Sequence, residues 1–250
     1  MKILSRKTLL LGLFSFMVST SAMAAGGGNL DHSGVNIKDM AALQRGAGLF
    51  VNYCLSCHSA SYMRYNRLSE DLGQSEEVVM ENLVFADAKI GETMEIAMEA
   101  EDAERWFGTT PPDLSLIGRS RGADWLYTYM RSFYQDENGG WNNTVLPNAA
   151  MPHVLWELQG IQKLADHGDD HGESDGHGES AGPQFELAVA GQLSPEEYDS
   201  TVRDLVTFLD YLGEPAKLKR KNIGVWVILF LAVFAFLAYL LKAEYWRDVH

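Results

Sequence analysis

Cysteine is nearly absent. The 250 residues contain two, Cys54 and Cys57, which excludes a disulfide-rich scaffold and the four-cysteine zinc and iron–sulfur frameworks. Basic residues are also scarce, with 20 Lys plus Arg against 34 Asp plus Glu and a net charge of −14. A phosphate backbone needs a basic face, so nucleic acid is excluded as a partner. No stretch sustains a two-residue polar–apolar alternation, which leaves helical periodicity as the main local signal. Core-forming residues are not lacking: at 46% hydrophobic and 22% charged, the chain is not one that stays disordered throughout. Its length suits one or two domains.

Two apolar runs stand out. The first follows Lys2, Arg6 and Lys7 and ends at Ala22-Met23-Ala24; a positive start, a short apolar stretch and small residues before a cleavage point read as a signal peptide over 1–24. The second, residues 223–241, has no charged residue and as a helix would reach roughly 28 Å, enough to span a bilayer. Lys217, Lys219, Arg220 and Lys221 precede it, Lys242 follows, and Trp226, Tyr239, Tyr245 and Trp246 lie near its ends, as membrane interfaces select. The expected layout is an exported domain over 25–216, a basic flank and anchor over 217–242 and a short cytoplasmic tail over 243–250. The larger basic cluster lies on the outer side, against the positive-inside tendency. From Ala25 to Leu212 there are 11 Lys plus Arg and 31 Asp plus Glu, so the exported part is acidic enough to steer basic partners.

Near the start of that part stands Cys54-Leu55-Ser56-Cys57-His58. This is the C-x-x-C-H pattern of c-type haem attachment. Two thiols at this spacing add to the two vinyl groups of one porphyrin, and the next histidine lies beneath the iron as proximal ligand. A redox dithiol would call for a βαβ setting and a zinc site for further ligands. Export agrees with haem, which is attached outside the bacterial cytoplasm.

The iron needs a sixth ligand, and a methionine there raises its reduction potential. Met94 and Met98 lie in an acidic, helix-like run and read as solvated or half-buried. Met130 falls on the apolar stripe of Leu126, Tyr129 and Phe133 and reads as core. Met151 sits in Pro147-Asn148-Ala149-Ala150-Met151-Pro152, a proline-bracketed loop suited to presenting one sulfur to a cofactor. His153 is the alternative.

Apolar spacing predicts a helix over 36–53, carrying Ile37, Met40, Leu43, Ala47 and Phe50 into the haem motif. A second helix is predicted over 194–212, with Ser194 and Glu197 as a capping box, Pro195 at its first position and a stripe of Tyr198, Val202, Leu205, Val206 and Leu209. Shorter helices are expected over 75–84 and 124–134. Residues 166–182, rich in His, Asp, Gly and Ser, read as a low-complexity insertion. The fold class is mainly α.

Arg45-Gly46 and Phe50 ahead of C-x-x-C-H, with a late helix carrying Arg203-Asp204-Leu205-Val206, resemble class I cytochromes c. Arg105-Trp106-Phe107-Gly108, Pro111-Pro112-Asp113-Leu114-Ser115, the Met151 loop and the single anchor together resemble the cytochrome c1 family, the haem c subunits of ubiquinol–cytochrome c reductase. The resemblance covers essentially the whole mature chain. It implies a class I cytochrome c-like domain with one covalent haem c on Cys54 and Cys57, and His58 and Met151 as axial ligands. It also implies that Arg119, within Ile117-Gly118-Arg119-Ser120-Arg121, pairs with a haem propionate and that Pro111 and Pro112 wall the pocket. Some relatives brace the methionine loop with a cysteine pair; lacking spare cysteines, this chain is expected to hold it by packing and proline alone.

The resemblance further implies a one-electron relay from the Rieske iron–sulfur protein to a soluble or membrane-bound cytochrome c, beside a cytochrome b subunit in a dimeric complex of the bacterial inner membrane. The haem domain would face the periplasm, and no catalytic acid or base is needed. Glu92, Glu95, Glu99, Glu101, Asp102 and Glu104 form a candidate docking face. The alternatives are an anchored cytochrome c serving another respiratory reductase or oxidase, and a haem sensor, which would need an open sixth position.

Overall fold

The computed structural model describes residues 30–85, 87–165 and 184–247. The expected leader at 1–24 and the insertion at 166–182 lie outside these. In chain order the elements are α1 (Met40–Tyr53), β1 (Ala60–Arg64), α2 (Tyr65–Leu72), α3 (Glu76–Leu83), β2 (Thr93–Met94), α4 (Ala100–Phe107), α5 (Ile117–Ser120) and α6 (Ala123–Arg131). They continue as β3 (Phe133–Gln135), β4 (Trp141–Asn143), α7 (Trp156–Gln159), β5 (Gly160–Leu164), β6 (Phe185–Ala190), α8 (Pro195–Gly213) and α9 (Lys217–Tyr245).

Both long helices of the domain begin where a side chain satisfies the free N–H groups of the first turn. Asp39 accepts from the Ala42 amide, so α1 starts at Met40 rather than 36; Ile37 still reaches the core, from a turn ahead of the cap. The Ser194–Glu197 capping box forms, and the expected stripe of α8 is buried. Such a cap contributes about 1 kcal/mol.

The two helices cross at Gly46. A Cβ there would lie 2.1 Å from the Asp204 carbonyl oxygen and 2.8 Å from Phe208 Cβ, so only glycine allows the backbones to meet. The Phe50 and Phe208 rings pack beside the crossing, 5.5 Å apart. On the rim, Arg45 grips Asp204 with both Nε (2.6 Å) and Nη2 (3.1 Å). Gly118 brings α5 equally close to α8, where a Cβ would sit 2.5 Å from the Leu209 carbonyl oxygen.

Three two-stranded antiparallel sheets complete the described fold. The helix expected over 124–134 stops at Arg131, and Phe133–Gln135 becomes a strand pairing Phe133 with Asn143 and Gln135 with Trp141. Met94, expected to be solvated or half-buried, is fully buried. The run carrying it is not helical there: it forms β2, pairs with β1 just past the haem motif and turns the methionine into the core.

The segment before α1 is strapped to the domain. Ser33 donates its amide (2.8 Å) and hydroxyl (2.6 Å) to Asp124, and Arg203 Nε donates to the Ser33 carbonyl (2.9 Å). Those bonds hold the Asp124 carboxyl below the usual carboxylate range.

At the other end, Ile223–Tyr245 of α9 is long and apolar enough to cross a membrane, and none of it is buried against the domain. Three of the basic residues ahead of it are paired. Lys217 bonds Asp210 (2.7 Å), Lys219 reaches Glu70 (3.4 Å), and Arg220 pairs with Glu214.

Candidate cofactor site

Where α1 ends, the chain makes one tight turn. The amides of Cys57 and His58 both donate to the Cys54 carbonyl, at 3.0 and 2.9 Å. This turn sets both thiols and the imidazole on one wall of an apolar cavity of about 310 Å³. The cysteines are free rather than bridged, and Cys54 is buried; burial pushes its thiol up to about 12.

The lining next to the histidine comes from Pro111-Pro112-Asp113-Leu114-Ser115, of which Pro111, Pro112 and Leu114 face the cavity. Asp113 accepts from the Ser61 amide (2.8 Å), the Ser61 hydroxyl (2.9 Å) and the Ser115 amide (2.8 Å), and Leu114 N–H donates to the Ser59 carbonyl (2.8 Å). Burial alone would raise the Asp113 carboxyl, but the bonds from Ser115 and Ser61 outweigh it and hold the group below its ordinary range. Pinned in this way, the loop offers the Pro112 carbonyl to His58 Nδ1 at 2.7 Å. A carbonyl can only accept, so Nδ1 carries the proton and Nε2 keeps its lone pair for a metal. Burial lowers the His58 pKa despite that bond, which favours the neutral, ligating form.

Met151 lines the same cavity, and its loop is held by more than packing and proline. Asn143 Nδ2 donates to the Tyr129 carbonyl (2.8 Å), while its Oδ1 accepts from the amides of Val145 (2.9 Å) and Leu146 (3.1 Å). Asn142 Oδ1 accepts from the Asn148 amide (2.8 Å), and Asn148 itself takes a φ of 61°, a region asparagine tolerates better than most residues. Asparagine side chains thus supply the brace. The Tyr129 hydroxyl donates to Met151 Sδ at 3.5 Å, and burial pushes its phenol up to about 12.

Cys54, Cys57, His58, Pro111, Pro112 and Met151 all line this one cavity. His153 does not. It is 1% exposed, stacked on Phe133 and edged by Trp141, with neither ring nitrogen hydrogen-bonded. Arg119 does not line it either: its side chain is largely exposed and faces Glu214 at 3.9 Å. Two residues on, Arg121 lines the cavity with its guanidinium over the Trp125 ring, 4.9 Å from the centroid. On the turn formed by α5, residues two apart point to different sides, so one arginine faces the cavity and the other faces away.

The sequence reading missed Arg121, Trp125 and Tyr129 as cavity residues. Trp125 and Tyr129 lie four apart on α6, and that spacing was the available signal for them, since it places both on one helical face; Arg121, ahead of Gly122, carried none. Met130, read as core, is buried and also lines the cavity.

The donor set suits a covalently held haem. It offers two thiols, an imidazole nitrogen left unprotonated by a fixed hydrogen bond, and a thioether, all lining one apolar cavity. Among the described residues no cluster of three or more His, Cys, Asp or Glu could hold a bare metal ion instead. A wider hollow beside the Arg45–Asp204 pair lies on open surface and has no such donors.

The sequence model of the cytochrome C1 family matches residues 31–169 and 191–249. The chain is 47% identical over 248 residues to a cytochrome c1 of Allochromatium vinosum, covering 98% of this chain and 100% of that protein. It is also 47% identical over 223 residues to a protein of Nitrosomonas europaea named ammonia monooxygenase gamma subunit, covering 88% of this chain and 89% of the other. A cytochrome c1 of Rhodospirillum rubrum is 26% identical over 239 residues, 84% of this chain and 83% of that one.

Proposed function

Because the chain belongs to the cytochrome c1 family, whose members carry covalently bound haem c, we propose that it is the electron-carrying subunit of a ubiquinol–cytochrome c reductase. It would take single electrons from a Rieske iron–sulfur protein and deliver them to a cytochrome c, beside a cytochrome b subunit in a dimeric complex. One observation carries this reading: Cys54, Cys57, His58 and Met151 face a single apolar cavity while His58 Nδ1 is committed to the Pro112 carbonyl.

In this reading Cys54 and Cys57 would hold the haem covalently, and His58 Nε2 and Met151 Sδ would bind its iron. Pro111 and Pro112 wall the pocket. Arg121, rather than Arg119, supplies the positive charge beside a haem carboxylate, because it is the arginine that lines the cavity. When bound, the haem supplies reversible one-electron exchange at its iron. The protein residues hold the ligands fixed in both valence states and keep water from the iron with an apolar lining, so no acid or base is required. Met151 lining the same cavity as His58 argues against a ligand-sensing module. Similarity over the full length of a cytochrome c1 argues against an anchored carrier of another kind.

Orientation and docking follow in the same reading. The apolar helix and the family membership fit a single-pass membrane protein. We place the haem domain in the periplasm of a bacterial inner membrane, with the last residues in the cytoplasm. The acidic run spans β2 and α4, and Phe107 at the end of α4 lines the cavity. Its exposed carboxylates therefore stand near the haem and are suited to steering a basic acceptor. Changing Glu95, Glu99, Glu101 and Glu104 to glutamine is expected to lower the acceptor on-rate about tenfold at low ionic strength and to flatten its salt dependence, as read by stopped-flow reduction of the acceptor.

The deciding experiment is a reduced-minus-oxidised visible spectrum of the chain purified from membranes in mild detergent. Bands of both c-type and b-type haem, with the Rieske protein co-purifying, are expected. A c-type band alone would move the chain to another oxidoreductase, of the kind the Nitrosomonas europaea relative is named for or otherwise.

A further inference from the structure

The Tyr129 hydroxyl is buried, and Phe at that position would pack the same surfaces without the cost of desolvating an O–H group. Among the described residues, Met151 Sδ is the hydroxyl's one hydrogen-bond partner, at 3.5 Å. The ring has little freedom to point elsewhere. Trp125 stacks on its face with centroids 4.9 Å apart and planes 10° off parallel. Phe133 meets it edge-on at 5.0 Å, and Asn143 ties the Tyr129 carbonyl at 2.8 Å. The same Asn143 holds Val145 and Leu146, so one side chain links the helix that aims the phenol to the loop that delivers the sulfur.

A thioether has two lone pairs. If one binds the iron, the other is free to accept a hydrogen bond, and acceptance withdraws density from the sulfur. The oxidised iron draws more heavily on that density than the reduced iron, so the withdrawal disfavours the oxidised state. Hydrogen bonds of this outer kind tune both ligand basicity and haem potential.

We propose that Tyr129 is a positioning residue for the sixth ligand: its hydroxyl fixes Met151 Sδ and raises the reduction potential of the haem. The proposal rests on the reading of Met151 as an axial ligand. Three versions of the haem-loaded full-length chain in detergent test it: wild type, Tyr129→Phe, and the chain with 3-fluorotyrosine at position 129. Each is titrated for its midpoint potential, and the near-infrared absorption of the sulfur–iron(III) bond is recorded alongside.

Tyr129→Phe lowers the midpoint by up to about tenfold in the one-electron equilibrium constant, or 59 mV. Fluorotyrosine, a stronger donor of nearly the same shape, raises it. A merely structural role for the ring would not move the potential in opposite directions. If Tyr129→Phe fails to take up haem, the fluorinated chain decides alone. An unmoved midpoint with the sulfur band retained, or shifts of the same sign in both variants, overturns the proposal. Absence of the sulfur band in the wild type overturns the Met151 assignment and this proposal with it.

Discussion

His153 buries two ring nitrogens without a hydrogen bond, between Phe133 and Trp141. Replacing such a group with an apolar ring of similar size removes an unsatisfied pair at little cost in packing. His153→Phe is therefore expected to leave the protein as stable or to stabilise it by about 1 kcal/mol, measured by urea unfolding. A loss of stability would mean that those nitrogens have a partner in the native assembly. At this scale the chemistry was legible where it has a rigid signature. C-x-x-C-H can be read because covalent attachment needs that spacing, and Met151, picked out by its flanking prolines, lines the same cavity. Which arginine lines that cavity was not legible: Arg119 and Arg121 differ only in which side of a short turn they occupy, and that is decided by how α5 packs on α8.

Among the elements, the long helices could be read in advance because their apolar stripes and caps are local properties. The hairpins could not. A two-residue strand such as Thr93–Met94 has no measurable period, and its pairing with Ala60–Arg64 depends on distant chain. The brace of the methionine loop was hidden for a similar reason. Asn142 and Asn143 carry no signal of their own in the sequence; register with Phe133–Gln135 fixes where they stand. Asn143→Leu breaks the bonds to Tyr129, Val145 and Leu146 at once. It is expected to loosen Met151 enough for carbon monoxide to bind the reduced haem, which the visible spectrum reports directly. At the helix crossing, Gly46→Ala forces a methyl group against the Asp204 carbonyl. The expected destabilisation is about 1–3 kcal/mol or more, read from denaturant unfolding, and it would match the cost of prising α1 from α8.

For the molecule as a whole, the basic cluster ahead of the anchor is drawn into the fold. In the orientation we propose it would oppose the usual charge bias, and three of its members, Lys217, Lys219 and Arg220, pair with Asp210, Glu70 and Glu214. Two of these pairs are local, whereas Lys219 and Glu70 are 149 residues apart and meet only in the fold. The cluster acts as a collar joining domain to anchor, whereas the apolar part of α9 contributes nothing to the core. A chain ending at Asn222 keeps the three ion pairs of the collar and discards the unburied Ile223–Tyr245 helix. It is expected to remain in solution with an unchanged haem spectrum and nearly the same melting temperature, checked by calorimetry.

The crossing of α1 with α8 also has a consequence in time. The helix that leads into the haem motif closes on a partner far along the chain: Arg45 meets Asp204 and, just ahead of that helix, Ser33 meets Arg203, across separations of 159 and 170 residues. Leu205 and Leu209 of that late helix form part of the cavity lining. A chain made from its amino end has Cys54 and Cys57 long before it has α8, and until α8 arrives the cavity lacks that part of its wall. If the domain is exported amino end first, as we propose, the thiols would be open to haem attachment before the pocket closes.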